Sequence, residues 1–294
     1  MRLITHTDFD GVICAVLITC VEVVDEILFL DPATIQEKKI RVTENDIIAD
    51  LPFHPKCGLW FDHHATSKPP EGTEIRGSFS LKKSAARVVY EYYENPYLER
   101  YQEVVDWADR IDSGEITPQE AINPSGWRLL SETLESDAEK KVDDEYRWHV
   151  IEWIRKGESI EKILERREVK KRTEAALKDL KDFLEMVKKI GRMEGSVSIV
   201  DMRGLEKVPK GNNFLIYVAF PSSLVSVRIY DNRTNKDVID INVGRNTFNR
   251  ASKIDIGALM KEYGGGGHPM CGGTHLKKED ADKKIKEILE RLQE

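Results

Sequence analysis

Three short groups of acidic and imidazole side chains carry the chemistry of this 294-residue sequence: Thr5-His6-Thr7-Asp8-Phe9-Asp10-Gly11, then Asp50, then Asp62-His63-His64. His6, Asp8 and Asp10 are spaced by two, so in extended chain they project to one side. Gly11 then lets the backbone turn into a helix. Carboxylates and imidazoles gathered this densely repel one another or demand protons unless cations neutralise them. Their mixed oxygen and nitrogen donors suit Mn²⁺, and also Mg²⁺, Co²⁺ or Fe²⁺, better than a thiolate site would. One such group alone reads as a helix cap or a surface hydrogen bonder. Three, all at strand ends of one domain, argue against that reading. A fourth candidate, Trp107-Ala108-Asp109-Arg110-Ile111-Asp112, sets Asp109 and Asp112 one helical turn apart. Spacing alone does not choose between them.

A different chemistry sits near the C-terminus, in Tyr263-Gly264-Gly265-Gly266-Gly267-His268-Pro269. Consecutive glycines cost backbone entropy, and the usual return is close approach of backbone N–H groups to an anion. His268 beside them could hydrogen-bond a phosphate, and Arg245 offers a guanidinium fork for bidentate recognition. Cys271 has no obvious base and reads as a small buried residue rather than a nucleophile.

The elements that must position these groups follow from hydrophobic pattern. Leu3–Thr5, Ile27–Leu30, Ile47–Ala49 and Leu59–Phe61 read as short buried strands. Between and after them, Gly11–Val24 and Lys82–Glu94 read as helices, the second with Ser80 as N-cap. Such alternation predicts a mostly parallel sheet with helices on both faces, where ligands bind beyond the C-terminal strand ends. From about Asn95 to Arg192 the pattern is helical. Asp137–Lys189 forms an amphipathic, charge-laced connector with a break at Gly157. After Gly191, strands are predicted at Val197–Val200, Leu215–Phe220, Leu224–Tyr230 and Val238–Val243, with helices at Ile254–Glu262 and Glu279–Leu292. The expected division is residues 1–190 and a smaller α+β domain at 191–294.

Composition narrows the partners. Apolar residues make up 40 % and charged residues 33 %, as in a soluble globular protein. The 45 Lys+Arg against 52 Asp+Glu give a net charge of −7, which opposes coating long duplex DNA. It still allows a small phosphorylated substrate held by metal ions. No run reaches the ~18–20 apolar residues of a membrane span; Ile13–Val24 is interrupted by Thr19, Cys20 and Glu22. The N-terminus carries no export pattern, and the four cysteines lack disulfide or metal spacing, so the cytoplasm is expected.

In their types and order, the His6–Gly11 segment, Asp50, Asp62-His63-His64 and Gly264–His268 resemble the DHH/DHHA1 phosphoesterase superfamily. The resemblance spans nearly the whole chain, with its two strongest motifs about two hundred residues apart. That superfamily includes RecJ-like exonucleases, nano-RNA and pAp hydrolases, cyclic-dinucleotide phosphodiesterases and exopolyphosphatase-like proteins. It implies an α/β DHH domain, a helical connector and an α+β DHHA1 domain, with the active site in the cleft between domains. It implies two Mn²⁺ ions, with Mg²⁺ or Co²⁺ as substitutes. His6, Asp8 and Asp50 would hold one; Asp10, Asp50, His63 and Asp109 the other. Asp109 is chosen over Asp112 because Ala-Asp matches the family's fourth motif. Asp62 would orient His63, and His64 would contact the scissile phosphate. Arg245, Gly265, Gly266, Gly267 and His268 would hold the substrate's other end. Many members place the first histidine four residues before the first aspartate; here His6 precedes Asp8 by two. The implied function is hydrolysis of short oligonucleotides or small nucleotides to mononucleotides by a monomer or homodimer. The alternatives are a polyphosphate or pyrophosphate hydrolase, and an inactive nucleotide- or RNA-binding module.

Overall fold

A computed structural model describes residues 1–36, 39–134, 140–232 and 234–293. The first residues of the expected connector, 137–139, lie outside these. The chain forms two compact units: Met1–Ile116 with Ser125–Glu174, and Thr117–Pro124 with Ala175–Glu294.

The first unit is built on five parallel strands in the order β2-β1-β3-β4-β5. These are β1 (Arg2–His6), β2 (Glu26–Leu30), β3 (Asp46–Ala49), β4 (Leu59–Asp62) and β5 (Gly77–Phe79). The first four match the sequence reading; β5 is too short and too polar in pattern to have been read. Register decides the site. Thr5 pairs with Ala49, and Ala49 with Phe61. The next residues, His6, Asp50 and Asp62, therefore stand level at the C-terminal edge of three adjacent strands.

Helix α1 (Phe9–Val21) follows β1 and, after Asp10, is largely apolar on every side, with every residue from Phe9 to Ile18 buried. That pattern belongs to a helix with no solvent face. It packs between the sheet and helices α3 (Ala85–Tyr93), α4 (Gln102–Asp112) and α7 (Lys140–Arg155). At its start, a Cβ on Gly11 would lie 2.3 Å from the His6 carbonyl oxygen, so only glycine lets α1 begin this close to β1. Short α2 (Pro32–Gln36), α6 (Gly126–Ser131) and α8 (Ile160–Glu165) complete this unit. The helix expected at Lys82–Glu94 starts later, because Ser84 rather than Ser80 is its N-cap and accepts from the Arg87 N–H at 3.0 Å. The break expected at Gly157 is present, with φ +72°.

The second unit holds a six-stranded mixed sheet, β10-β11-β9-β8-β7-β6. The strands are β6 (Arg192–Glu194), β7 (Val197–Asp201), β8 (Val225–Asp231), β9 (Val238–Arg245), β10 (Gly266–His268) and β11 (Cys271–Lys277). Its core lies between one sheet face and helices α11 (Ile256–Glu262) and α12 (Lys278–Arg291). Helix α5 (Pro118–Ile122), although flanked in sequence by the first unit, packs with α10 (Phe214–Ala219) of the second. Helix α9 (Arg167–Ile190) runs from one unit into the other. Residues 215–219 of the strand expected at 215–220 lie in α10: an apolar run does not by itself separate a short buried helix from a strand.

Candidate metal centre and active site

Asp50 is the pivot. It follows β3 with φ +56°, in the left-handed region that aspartate tolerates better than most residues. Its N–H donates to the Phe61 carbonyl at 2.9 Å, and its side chain is almost completely buried. Oδ2 lies 3.6 Å from His6 Nδ1, while Oδ1 lies 3.8 Å from both His63 Nε2 and His64 Nδ1. Neither oxygen has a hydrogen-bond partner, and the same holds for buried Asp62 Oδ2 and His63 Nε2. Buried charged atoms left unpaired carry a large desolvation penalty. Here they cluster on one another.

The neighbours fall into groups whose ligand atoms lie within 4.8 Å of each other: His6, Asp8 and Asp50; Asp10, His63 and Asp112; and Asp50, Asp62, His63 and His64. His6 Nδ1 donates to Asp8 Oδ2 at 2.9 Å, so the two-residue spacing does bring His6 into the group. Asp8 also caps α1, its Oδ1 accepting from the Gly11 N–H at 3.0 Å. Asp10, in the first turn of α1, accepts from the Ala85 and Ala86 N–H groups at 2.7 and 2.8 Å. It thereby fixes the N-terminus of α3.

Two expectations are corrected by geometry. Asp109 does not join the cluster: its oxygens accept from Ser84 Oγ at 2.7 Å and Arg87 Nε at 2.9 Å. Asp112, one turn further along α4, puts Oδ2 3.3 Å from His63 Nε2. Asp62 does not orient the His63 ring. Its Oδ1 accepts from the backbone N–H groups of His63 and His64 and holds His64 Nδ1 at 2.8 Å. The His63 ring is set instead by the Lys82 carbonyl, 3.2 Å from Nδ1, a backbone contact that no side-chain pattern announces. Arg147 was also missed. Its Nε donates to the Thr7 carbonyl at 2.6 Å, bracing the loop between His6 and Asp8 from 140 residues away.

Protonation reports the same crowding. Burial and the charges of Asp50, Asp112 and Asp8 push Asp10 well up from the usual carboxylate range. Burial, Asp8 and Asp112 do the same to Asp50. Asp112 is pushed up to about 7, mainly by desolvation and Asp8. Burial and neighbouring His64 hold His63 low, whereas Asp62 holds His64 above its ordinary value. Strongly shifted groups converging in one place mark a functional site. Divalent cations would remove the cause of the shifts, and the donor set fits them.

In the second unit, Gly264–His268, expected to cradle an anion, are in part a strand. Gly266–His268 pair antiparallel with β11. A Cβ on Gly265 would lie 2.0 Å from the Gly273 carbonyl oxygen, and one on Gly267 2.4 Å from that of Cys271. Close strand packing therefore accounts for these two glycines, while Gly266 borders open space. His268 is exposed. Arg245 donates to the Ser252 carbonyl and keeps a buried Nε without a partner. Cys271 is exposed rather than buried.

Neither a family model nor a curated relative matches the chain at the level of sequence. Solved structures do match. The DHH domain of a protein described as a member of a ribosomal-protein family superposes with a TM-score of 0.63 at 11 % identity, covering 100 % of this chain and 86 % of that one. That likeness shows the fold. PggH, a pGpG-specific phosphodiesterase from Vibrio cholerae, matches with a TM-score of 0.83 at 31 % identity over 99 % of this chain and 98 % of that one. The chain belongs to the DHH phosphoesterase superfamily. As a DHH protein it is a metal-dependent phosphoester hydrolase. Among the described residues, no helix is long and apolar enough to cross a membrane.

The exchange of Asp109 for Asp112 in this DHH site can be read out directly. Asp112→Asn is expected to lower metal affinity or turnover on the order of 10–100-fold with little change in melting temperature. Asp109→Asn is expected to spare most activity but cost about 1–3 kcal/mol of stability, because Arg87 loses a charged partner. Metal titration and thermal melting of the two variants distinguish these outcomes. The reverse pattern would restore Asp109 to the site.

Proposed function

We propose that this chain hydrolyses the phosphodiester bond of linear dinucleotides and very short oligonucleotides to mononucleotides in the cytoplasm, using two Mn²⁺ ions. His6, Asp8 and Asp50 would hold one ion, and Asp10, Asp50, His63 and Asp112 the other. The observation that carries this reading is Asp50, buried, unpartnered and facing both groups with different oxygens. The full-length likeness to a pGpG-specific phosphodiesterase supports the substrate class.

When bound, two divalent ions make hydroxide available near neutral pH and offset charge growing on the phosphoryl oxygens. The protein's own residues do the rest. Asp62 fixes the His64 ring through Nδ1, and the ring's side chain is 48 % exposed. With its pKa held up by Asp62, His64 can donate a proton or a charge-assisted hydrogen bond to a phosphoryl oxygen. Asp10 and the Lys82 carbonyl keep α3 and His63 in place, so the donors need little reorganisation. In the second unit, Arg245, His268 and the backbone of Gly265, Gly266 and Gly267 would bind a phosphate.

A parallel Mn²⁺ assay of di- to pentanucleotides, pAp, cyclic dinucleotides and polyphosphate tests this reading. Linear dinucleotides are expected to turn over fastest, with rates falling as length grows. Polyphosphate as the best substrate would replace it with the exopolyphosphatase reading. Mn²⁺ bound without turnover of anything would leave a binding module.

A further inference from the structure

His6 and Asp8 are grouped with Asp50 in the metal centre, and a single residue separates them in the chain. That residue, Thr7, has no place in the sheet. The β1 ladder ends on one side at His6, which pairs with Leu30 of β2, and on the other at Thr5, which pairs with Ala49 of β3. From Asp8 onward α1 takes over the chain. The Val12 N–H donates to the Asp8 carbonyl at 3.1 Å, and the Gly11 N–H to the Asp8 side chain at 3.0 Å. The strand thus fixes His6 and the helix fixes Asp8, while the peptide between them belongs to neither. A backbone carbonyl in such a gap needs a donor from elsewhere in the fold.

Arg147 of α7 supplies it. Its Nε donates to the Thr7 carbonyl at 2.6 Å, Nη2 to the Leu134 carbonyl at 2.8 Å and Nη1 to Asp144 at 3.1 Å. The guanidinium carbon lies 5.6 Å from the centre of the Phe29 ring in β2, and the residue is only 4 % exposed. Every nitrogen of a planar, rigid group is engaged, so it cannot turn without breaking several contacts. Burying a charge is costly, and two of these three acceptors are neutral carbonyls. An uncharged side chain of similar length would fill the same space at lower cost, but it would not hold the Thr7 peptide. Rotation of that peptide would move Asp8 away from His6, whose Nδ1 now lies 2.9 Å from Asp8 Oδ2.

We propose that Arg147 is a positioning residue which, through the Thr7 carbonyl, sets the affinity for the ion held by His6, Asp8 and Asp50. This rests on the two-ion reading above. Arg147 is in none of the ligand groups, so its effect falls on how readily the ion binds and not on hydrolysis once both ions are in place. Partners that hold ligands in position govern metal affinity by about 10–100-fold.

The test titrates Mn²⁺ into the full-length protein and follows free Mn²⁺ by electron paramagnetic resonance. Wild type, Arg147→Met, Arg147→Lys and Asp144→Asn are compared, with Asp8→Asn and Asp112→Asn marking the two ions. Turnover of bis-p-nitrophenyl phosphate against Mn²⁺ concentration gives a second readout. Arg147→Met is expected to weaken about 10–100-fold the ion that Asp8→Asn weakens, and to spare the ion that Asp112→Asn weakens. Its kcat at saturating Mn²⁺ is expected to match wild type. Lysine, which reaches one acceptor at a time, should recover part of the affinity. Asp144→Asn, which leaves the Thr7 contact in place, should keep all of it. A purely structural role would lower the melting temperature without singling out one ion. Unchanged affinity in Arg147→Met, equal weakening of both ions, or a loss of kcat that saturating Mn²⁺ does not restore would overturn the proposal. Should Arg147→Met not fold, Arg147→Gln, whose amide falls short of Thr7, is judged in the same way, and failure of both to fold would overturn it too. If wild type binds fewer than two ions, or Asp8→Asn binds Mn²⁺ as wild type does, the two-ion reading fails and takes the proposal with it. If both markers behave as expected and the Arg147 variants bind like wild type, the reading stands and the proposal alone falls.

Discussion

Replacing Asp50 is expected to abolish turnover without unfolding the protein. One carboxylate faces both histidine–aspartate groups, so under the proposed two-ion reading its loss would remove a ligand from each ion at once. Lewis-acid charge stabilisation contributes several kcal/mol. At about 1.4 kcal/mol per tenfold change in rate, that predicts a fall of about 10³-fold or more. Asn is the cleaner substitution, because it also tolerates the left-handed backbone at position 50, whereas Ala would add about 1–2 kcal/mol of strain. In chelator, Asp50→Asn is expected to melt at a higher temperature than wild type, since it removes a buried carboxyl whose ionisation is disfavoured in the folded state. Turnover and melting should therefore move in opposite directions. Activity within tenfold of wild type, or a lower melting temperature in chelator, would mean that Asp50 is not the shared ligand.

Metal removal should produce the second large effect, and its size should depend on pH. Asp10 and Asp50 are pushed well up and Asp112 to about 7. A folded state whose carboxylates titrate above their unfolded value of about 4 binds more protons than the unfolded state across the intervening window. Stability of the metal-free protein therefore falls as pH rises from about 4 through about 7, and further as Asp10 and Asp50 are forced to ionise. His64, raised by Asp62, loses its stabilising charge over the same rise and adds to the trend. His63, held low, works against it at acid pH. Metal ions need the deprotonated ligands, so Mn²⁺ binds more tightly as pH rises. Saturating Mn²⁺ should add about 3 kcal/mol or more at a hundredfold excess over Kd. The gain in melting temperature should be larger at about pH 8 than at about pH 5. A gain independent of pH would show that these carboxylates are not the ligands.

The strands that carry the site were legible because each is an apolar run bounded by polar residues, and the motif residues sit at their ends. His6, Asp8, Asp10, Asp50 and His63 come together as their spacing and resemblance implied. What stayed illegible is what local pattern does not encode. The choice between Asp109 and Asp112 turns on which face of α4 meets Arg87 and Ser84. The ring that Asp62 holds, the Lys82 carbonyl and the reach of Arg147 are tertiary facts. The glycines are ambiguous for a related reason. A run of four suits either an anion cradle or close strands, and only pairing with β11 tells them apart. Short α10 fell to the same ambiguity, an apolar run with no length to settle its period.

The path of the chain between the two units bears on how the protein could be dissected. It enters the second unit at Thr117, returns at Ser125 and leaves again within α9 at Ala175. No single truncation point separates the halves. A fragment beginning at residue 191 would lack both α5, which lies against α10, and the last turns of α9. A fragment ending at 190 would carry those pieces away from their packing partners, baring side chains such as Ala121 and Val187. Expressing either half in isolation thus calls for a circular rearrangement or a grafted segment, and loss of function in a simply truncated piece would say nothing about which half performs the chemistry.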